Sequence, residues 1–509
     1  MFIAIIVSLV IILVCAIILR TTPRRKPNGP PLASNCLPII GHLLAHINPK
    51  GQIGLSPILF EGQNNENVVV TTMFGHDAMY VTRGPENVRA ILGSSQLKLR
   101  VSSNNNSDAV AVSKKLGTAD GGILLNSDET SWKRHRKLFV ENIGRPRFIK
   151  SLIPKLNEYM DSLLPFLNDL ATASKPILVN VLIGSISLDI IMDVIFTEQR
   201  NAAAHFIEAT LNEDQPQPDE LIDMIHGIMA AQRYFMYTPA FVFNHITTKE
   251  TAIHDAAIAK FHSFVTQRML EKTESVKRPS SGDQQTDLAT VLLLDPSPEM
   301  TFKRAVSVIK EAIFGGQDTS SNMLSFLIYE LARNPHIADN VYSEVLEVVG
   351  PHGAISEENI TKLKFVEAVI YETSRVYNVA AGVVRHVSQD LELPESGYVL
   401  RKGLNVMVML EQVHSDGRVW ENPSKFDPSR FLNCSATGGP AGFGWNFAPF
   451  GHGIRKCPGE ALALLEMKMI VASLCRRYKF HLATNEPVKI KESLVRECLD
   501  LPILFEIRA

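Results

Sequence analysis

One cysteine in this sequence has neighbours suited to metal chemistry. Residues 450–460 read Phe-Gly-His-Gly-Ile-Arg-Lys-Cys-Pro-Gly-Glu, and an apolar helical stretch follows. Pro458 suits a first helical turn, so Cys457 is predicted at a helix N-terminus, where the dipole favours the metal-binding thiolate. Arg455 adds a positive charge suited to an anionic group of a ligand. A thiolate in a glycine-rich loop beside an arginine predicts the proximal ligand of a haem.

Two alternatives to a haem ligand are open for Cys457. A free cysteine is often a small buried hydrophobe with only a structural role. Zinc would need further cysteine or histidine ligands, and the nearest candidate, His452, stands five residues back without support.

The cysteine segment resembles the cytochrome P450 family of haem-thiolate monooxygenases. The pattern Phe-x-x-Gly-x-Arg-x-Cys-x-Gly is complete at Phe450, Gly453, Arg455, Cys457 and Gly459. The resemblance implies haem b as cofactor, with Cys457 as the axial thiolate on the iron. It implies that the other four residues of the pattern also contact or shape the cofactor site.

A second pattern lies inside a long predicted helix. Ser297 and Pro298 predict its start and Asn334 its end, which gives about 35 residues, far beyond the usual length. Residues 315–320 in its middle read Gly-Gly-Gln-Asp-Thr-Ser. Two glycines cost roughly 2 kcal/mol of helix propensity against alanine, which favours a site where something approaches or opens the backbone. The alternative is a packing defect with a hydroxyl bonded back to the chain.

The resemblance gives this second pattern a catalytic role, because it matches the oxygen-binding segment of the family at every position. Thr319 would hold the water that delivers protons during oxygen activation, and Asp318 would relay protons from solvent. Gly315 and Gly316 would lie beside the cofactor.

Further residues take their roles from the resemblance. Trp132 and Arg136 share one helical face. By the resemblance they would bind the haem propionates together with Arg385. The alternative for the pair is a core tryptophan beside a surface arginine. Glu372-x-x-Arg375 alone is a weak signal, since most such pairs lie at the surface. Arg430, in a Phe-Asp-Pro-Ser-Arg-Phe segment, strengthens it and implies a buried structural triad.

Composition limits the class of the protein. The chain has 509 residues and a net charge of −2, so no basic field indicates nucleic acid as a partner. Its six cysteines show no disulfide framework, which favours a reducing compartment.

The beginning of the chain predicts a membrane anchor. Residues 1–19 carry no charge and, as a helix, would span about 28 Å, enough for the hydrocarbon core. A cleaved signal peptide would require a basic start, a shorter apolar core and a small-residue cleavage site, none of which is evident. Basic residues and prolines over 20–41 predict a stiff hinge and a cytoplasmic remainder, although a plain linker has similar composition. Residues 42–509 are predicted to form one haem domain.

Local patterns predict several secondary structures. Residues 68–72 and 78–82 indicate a hairpin, residues 360–379 a helix, residues 398–409 a pair of strands and residues 494–505 a closing hairpin. Residues 272–287 indicate a surface loop. Residues 201–251 have no clear signature and, by resemblance, would form the roof over the substrate.

The fold expected is mostly α-helical with small β-sheets (α+β), tethered to the endoplasmic reticulum by one N-terminal transmembrane helix. The resemblance implies oxygen insertion from O₂ into a small apolar substrate, with electrons from NADPH through a separate cytochrome reductase. It suggests a fungal, secondary-metabolite enzyme acting on a terpenoid, polyketide or alkaloid. A haem-thiolate isomerase or dehydratase, and a non-catalytic membrane haem carrier or sensor, are the alternatives.

Overall fold

The structure is a computed structural model. It describes residues 30–33, 67–71, 79–100, 108–119, 121–212, 216–277, 287–380, 382–432, 439–492 and 495–508. The predicted anchor, most of the predicted hinge and the turn of the first hairpin lie outside these residues.

Helices form most of the described chain, as predicted. They are α1 (Pro85–Leu92), α2 (Asp108–Lys115), α3 (Glu129–Asn142), α4 (Pro146–Thr172), α5 (Val179–Phe196), α6 (Ala202–Asn212), α7 (Glu220–Tyr237), α8 (Ala240–His245), α9 (Lys249–Val276), α10 (Leu288–Leu293), α11 (Phe302–Arg333), α12 (Pro335–Val348), α13 (Glu357–Ile360), α14 (Lys364–Tyr377), α15 (Leu410–His414), α16 (Ser429–Leu432) and α17 (Glu460–Cys475). Two short 3₁₀ helices, Gly439–Asn446 and Gly453–Arg455, precede α17.

The strands form small sheets, also as predicted. They are β1 (Val68–Thr71), β2 (Met79–Thr82), β3 (Ile177–Leu178), β4 (Gly382–His386), β5 (Leu391–Glu392), β6 (Val399–Leu400), β7 (Asn405–Met409), β8 (Tyr478–Leu482), β9 (Lys489–Lys491), β10 (Glu497–Leu499) and β11 (Pro502–Ile507). The order is β1-β2-β7-β4 in a four-stranded sheet and β3-β11-β8 in a three-stranded one, with β9–β10 and β5–β6 as separate pairs.

The first hairpin is confirmed, whereas the pairing of two later segments was predicted wrongly. Strands β1 and β2 are antiparallel with Val68 opposite Thr82. Strand β6 pairs with β5, while β7 pairs in parallel with β2 and antiparallel with β4. At the C-terminal end, β10 pairs with β9 and β11 with β8, so residues 494–505 do not form one hairpin. Alternating patterns predict strands, but they do not identify a partner that is distant in sequence.

Helix α11 is the central element, and it packs most extensively against α5. Nearly all of its length is buried, which compensates for the glycines in its middle. It begins at Phe302, not at Ser297, because the side chain of Thr301 accepts the N–H of Arg304 as the N-cap. Ser297 instead accepts the N–H of Glu299 in the turn before it.

Three other boundaries differ from the predictions. The stretch predicted as one helix over 360–379 is divided into α13 and α14. Helix α9 continues to Val276, so the first part of the predicted loop over 272–287 is helical. Residues 201–251, which had no signature, contain α6, α7 and α8.

Among the described residues, α5 is the one helix long and apolar enough to cross a membrane. It is a core helix by its surroundings, since 83% of its apolar window is buried inside the fold. Its packing against α11 on one side and against α6 and α10 on others explains its continuous apolar sequence.

Candidate active site

The Cys457 loop lies between the second 3₁₀ helix and α17. The Cys457 N–H donates to the Phe450 carbonyl at 2.8 Å, which closes the loop on itself. Gly453 has φ +68°, and a Cβ there would lie 2.0 Å from the Leu92 carbonyl oxygen, so this position requires glycine. Gly459 is the N-cap of α17, which places Pro458 before the helix and not in its first turn as predicted.

The ionisation of Cys457 is subject to opposing effects. Burial raises the pKa of the Cys457 thiol, although the Gly459 N–H, Arg100 and Arg136 act in the opposite direction. The helix-start position alone therefore does not produce a thiolate. A coordinated metal ion deprotonates a thiol outright, so iron ligation would supply the missing stabilisation of the anion.

Four arginines converge on one side of the cysteine loop. Arg136 donates to the Lys456 carbonyl at 2.5 Å, and Arg455 lies over the Trp132 ring with 4.2 Å between guanidinium carbon and ring centroid. Burial, and then the charges of Arg100, Arg385 and Arg136, lower the pKa of Arg455 to about 8. Burial, and then Arg100 and Arg136, lower the pKa of Arg385 to about 9. A guanidinium keeps its proton in proteins, so these arginines stay charged although they are buried beside one another. Their burial and mutual repulsion favour an anionic ligand at this place.

Three of these arginines and Trp132 leave hydrogen-bond donors unused. Near the Cys457 loop, four of the buried donor atoms that find no acceptor in the described residues are Arg100 Nε, Trp132 Nε1, Arg385 Nη2 and Arg455 Nη1. Buried donors without acceptors are uncommon, and several on one wall indicate a place for an anion with many oxygens. The two propionates of a haem fit this donor set and its charge. Thus the structure brings Trp132, Arg136, Arg385 and Arg455 together beside Cys457.

Helix α11 opens to empty space at the predicted oxygen-binding residues. Gly315 is exposed although its neighbours Phe314 and Gln317 are buried, and a Cβ on it would meet no atom within 4 Å. Gly316 has the opposite environment, because its Cβ would lie 2.7 Å from Ile191 Cδ1 of α5. The first glycine therefore keeps a wall of the site open, and the second permits close packing of two helices.

Thr319 and Asp318 occupy different environments. The Thr319 hydroxyl donates to the Gly315 carbonyl at 2.7 Å, which is the back-bonded geometry considered as the alternative. It remains half-exposed on the open face of the helix. Asp318 is buried, and burial, followed by the charge of Glu497, raises its pKa to about 7. A carboxyl with a pKa near neutrality can both accept and release a proton.

Glu372, Arg375 and Arg430 lie together in the structure. Arg375 donates to both Glu372 oxygens at 2.8 Å, and Arg430 Nε donates to Glu372 Oε1 at 3.4 Å. Arg375 also holds the carbonyls of His414 and Lys425 at 3.2 and 3.1 Å. The triad therefore ties α14 to the end of α15, to the segment before α16 and to α16 itself.

Two site residues were not among the sequence predictions. Arg100 follows no recognisable spacing motif, and only the structure places it near Cys457 and the other arginines. Glu311 did leave a signal, because it stands four residues before Gly315 and eight before Thr319, on the same helical face. A charged residue on that face of a buried helix is unusual enough to mark a specific contact.

Comparison with known proteins identifies the family of the chain. The family model described as Cytochrome P450 matches residues 30–503. Cytochrome P450 76C1 of Arabidopsis thaliana is 24% identical, over 97% of this chain and 93% of that protein. The (S)-1-hydroxy-N-methylcanadine 13-hydroxylase CYP82X2 of Papaver somniferum is 25% identical, over 98% and 92%. A crystal structure of a cytochrome P450 (CYP102L1) superposes with a TM-score of 0.75 at 20% identity, covering 95% of this chain and 100% of that chain.

Proposed function

Because this chain belongs to the cytochrome P450 family, we propose that it inserts one oxygen atom of O₂ into a small apolar substrate, using NADPH electrons delivered by a separate cytochrome reductase. The enzyme is an oxidoreductase that incorporates molecular oxygen, and its cofactor is a haem held by a cysteine thiolate. Bound haem supplies the oxidation, in which one oxygen atom enters the substrate and the other leaves as water.

Three features of the described residues support the proposal. They are the Cys457 loop at the start of α17, the unused donors of Arg100, Trp132, Arg385 and Arg455, and the open face of α11 at Gly315. We assign Cys457 as the iron ligand, with Phe450, Gly453 and Gly459 shaping its loop. We assign binding of the haem propionates to Trp132, Arg136, Arg385 and Arg455, and we add Arg100 to this set.

Protons are assigned to two side chains of α11. Asp318, whose pKa lies near 7, would pass protons between the protein surface and the open face. Thr319 Oγ1 would then hold the water that transfers them, after rotating from or sharing its bond to Gly315. Both residues argue for oxygen activation over an isomerase or dehydratase, which would need no proton delivery of this kind, and over a haem carrier or sensor.

Substrate and location are the finer parts of the proposal. We place residues 1–19 as an endoplasmic-reticulum anchor, 20–41 as the hinge and 42–509 as the cytoplasmic haem domain, on the apolar and basic composition of the beginning of the chain. An apolar substrate would then arrive partly from the membrane. A secondary metabolite is the class proposed, and the similarity to a poppy hydroxylase named for a canadine derivative supports it.

Two measurements on purified protein test the proposal. The reduced, CO-bound form should show the strongly red-shifted Soret band of thiolate ligation, and Cys457→Ser should lose it. With reductase, NADPH should be consumed and product formed, while Thr319→Val should consume NADPH but release peroxide in place of product. A histidine-type band, turnover that needs no NADPH, or unchanged coupling in Thr319→Val would each contradict the assignment that it addresses.

A further inference from the structure

Glu311 lies on the face of α11 that carries Gly315 and Thr319. Residues four apart on a helix are neighbours, so Glu311 stands one turn before Gly315 and two turns before Thr319. Gly315 is exposed to open space, yet Glu311 is only 7% exposed. Its carboxylate is therefore turned away from the open space and into another part of the protein.

The partner of Glu311 is the backbone just before α3. Its carboxylate accepts the N–H groups of Ile123, Leu124 at 2.6 Å and Leu125 at 3.3 Å. Consecutive backbone N–H groups aimed at one point form a strong site for an anion. Gly122 permits the approach, because a Cβ there would lie 2.2 Å from Glu311 Oε1.

The opposite side of the same backbone is held by Arg455. Its guanidinium donates to the carbonyls of Ile123 and Leu124 at 3.1 and 2.9 Å. Two successive peptide units thus lie between a carboxylate on their N–H side and a guanidinium on their carbonyl side. Charge-assisted hydrogen bonds are about twice as strong as neutral ones, so this arrangement fixes the segment firmly.

Two further side chains of α11 hold the chain upstream. Ser307 donates to the Gly117 carbonyl at 3.0 Å, and Lys310 donates to the Leu116 carbonyl at 2.9 Å. These two bonds fix the chain just before the wall segment, defined here as residues 121–125. The wall segment itself is held by Glu311 of α11 on one side and by Arg455 of the cysteine loop on the other.

We propose that Glu311 is a positioning residue that holds the wall segment against α11 and so limits the size of ligand that fits beside Gly315. The inference rests on the proposed position of the haem next to Gly315. Ile123, Leu124 and Leu125 have half-buried apolar side chains, which give the wall an apolar surface. Releasing their N–H groups from the carboxylate lets this surface move back and widens the space.

The principal variant is Glu311→Gln, which keeps the shape but replaces the carboxylate. An amide offers one oxygen and brings its own N–H donors against three backbone donors. The matched control is Glu344→Gln, because Glu344 also accepts consecutive backbone N–H groups, those of Phe365 at 2.6 Å and Val366 at 2.9 Å, at the start of α14. The control repeats the chemistry of the change without touching the wall segment.

The measurement is a spectral titration of the ferric, haem-loaded proteins with imidazole and with the bulky azole clotrimazole. In Glu311→Gln the affinity for clotrimazole should rise about tenfold relative to the affinity for imidazole. A tenfold change in affinity is comparable to the free energy of one hydrogen bond to a charged group. Glu344→Gln should leave the ratio of the two affinities unchanged. An unchanged ratio in Glu311→Gln, or an equal change in Glu344→Gln, overturns the proposal.

A second variant covers failure of Glu311→Gln to fold or to retain haem. Gly122→Ala places a methyl group against the Glu311 carboxylate, so it should displace the wall segment and raise the same ratio. If Gly122→Ala is haem-loaded and leaves the ratio unchanged, the wall does not set ligand size. Absence of any spectral shift with imidazole in the wild-type protein would instead contradict the proposed haem site itself.

Discussion

Replacing Arg375 by alanine should destabilise the protein by several kcal/mol and deplete it of haem. The side chains of Arg375 and Glu372 are 1% and 0% exposed, and they share two hydrogen bonds of 2.8 Å. Without Arg375, the buried carboxylate retains Arg430 at 3.4 Å and the Asp427 N–H at 2.8 Å. The carbonyls of His414 and Lys425 lose a donor at the same time.

The magnitude follows from the burial of the pair. Breaking a buried ion pair by removing one partner costs about 3–5 kcal/mol, because the remaining charge has lost its compensation. Total stabilities of proteins are commonly about 5–15 kcal/mol, so this loss would consume a large share of the margin. Arg430 retains part of the compensation, which places the expected cost toward the lower end of that range.

Lys364→Ala provides the matched control on the same helix. Lys364 pairs with Glu367 at the same i, i+3 spacing, but at 3.8 Å and with the lysine 62% exposed, so its loss should cost less than about 0.5 kcal/mol. Urea unfolding and the haem absorbance per protein measure both variants. A stable, haem-loaded Arg375→Ala protein, or equal losses in the two variants, would refute the assignment of the triad as structural.

Two further predictions concern electron transfer and pH. Lys133 and Lys137 are 56% and 70% exposed on α3 near the cysteine loop, so Lys133→Glu with Lys137→Glu should slow reduction by an acidic reductase, most strongly at low salt. Peroxide-driven turnover should stay normal, and an effect independent of salt would exclude docking. Burial raises the pKa of Glu466 from 4.5 to about 7, so the folded state binds a proton that the unfolded state releases, and stability should fall as pH rises from about 4.5 to 7. Glu466→Gln should remove roughly 3 kcal/mol of this pH dependence in unfolding experiments, and parallel curves for variant and wild type would contradict it.

Helical spacing made part of the site predictable from the sequence. Trp132 with Arg136, Glu372 with Arg375, and Gly315 with Thr319 are each three or four residues apart, and helix geometry places such residues on one face. The Cys457 loop was predictable because its glycines, arginine and cysteine are local. Joining these pieces into one site depended on the family resemblance, since no local pattern indicates which helices meet.

The parts that were missed depend on distant contacts. Strand β7 pairs with β2, more than 300 residues earlier in the chain, and alternation in 398–409 carries no information about that partner. The start of α11 was misplaced because two segments offered capping residues, and Thr301 forms the cap while Ser297 forms a turn. Arg100 and Glu311 acquire their roles only through burial against other elements.

The charges around the cysteine loop connect folding to cofactor binding. Burial lowers the pKa values of Arg100, Arg385 and Arg455, and the charges of neighbouring arginines, Arg136 among them, lower these values further. Two propionates would relieve this burial cost and repulsion. Any ligand that binds only the folded state adds stability, about 2.7 kcal/mol at a hundred times its dissociation constant. Haem binding and folding should therefore rise and fall together in this protein. Arg375 belongs to the structural triad and offers no unused donor to the haem site. The linkage nevertheless predicts that Arg375→Ala first becomes visible as loss of haem.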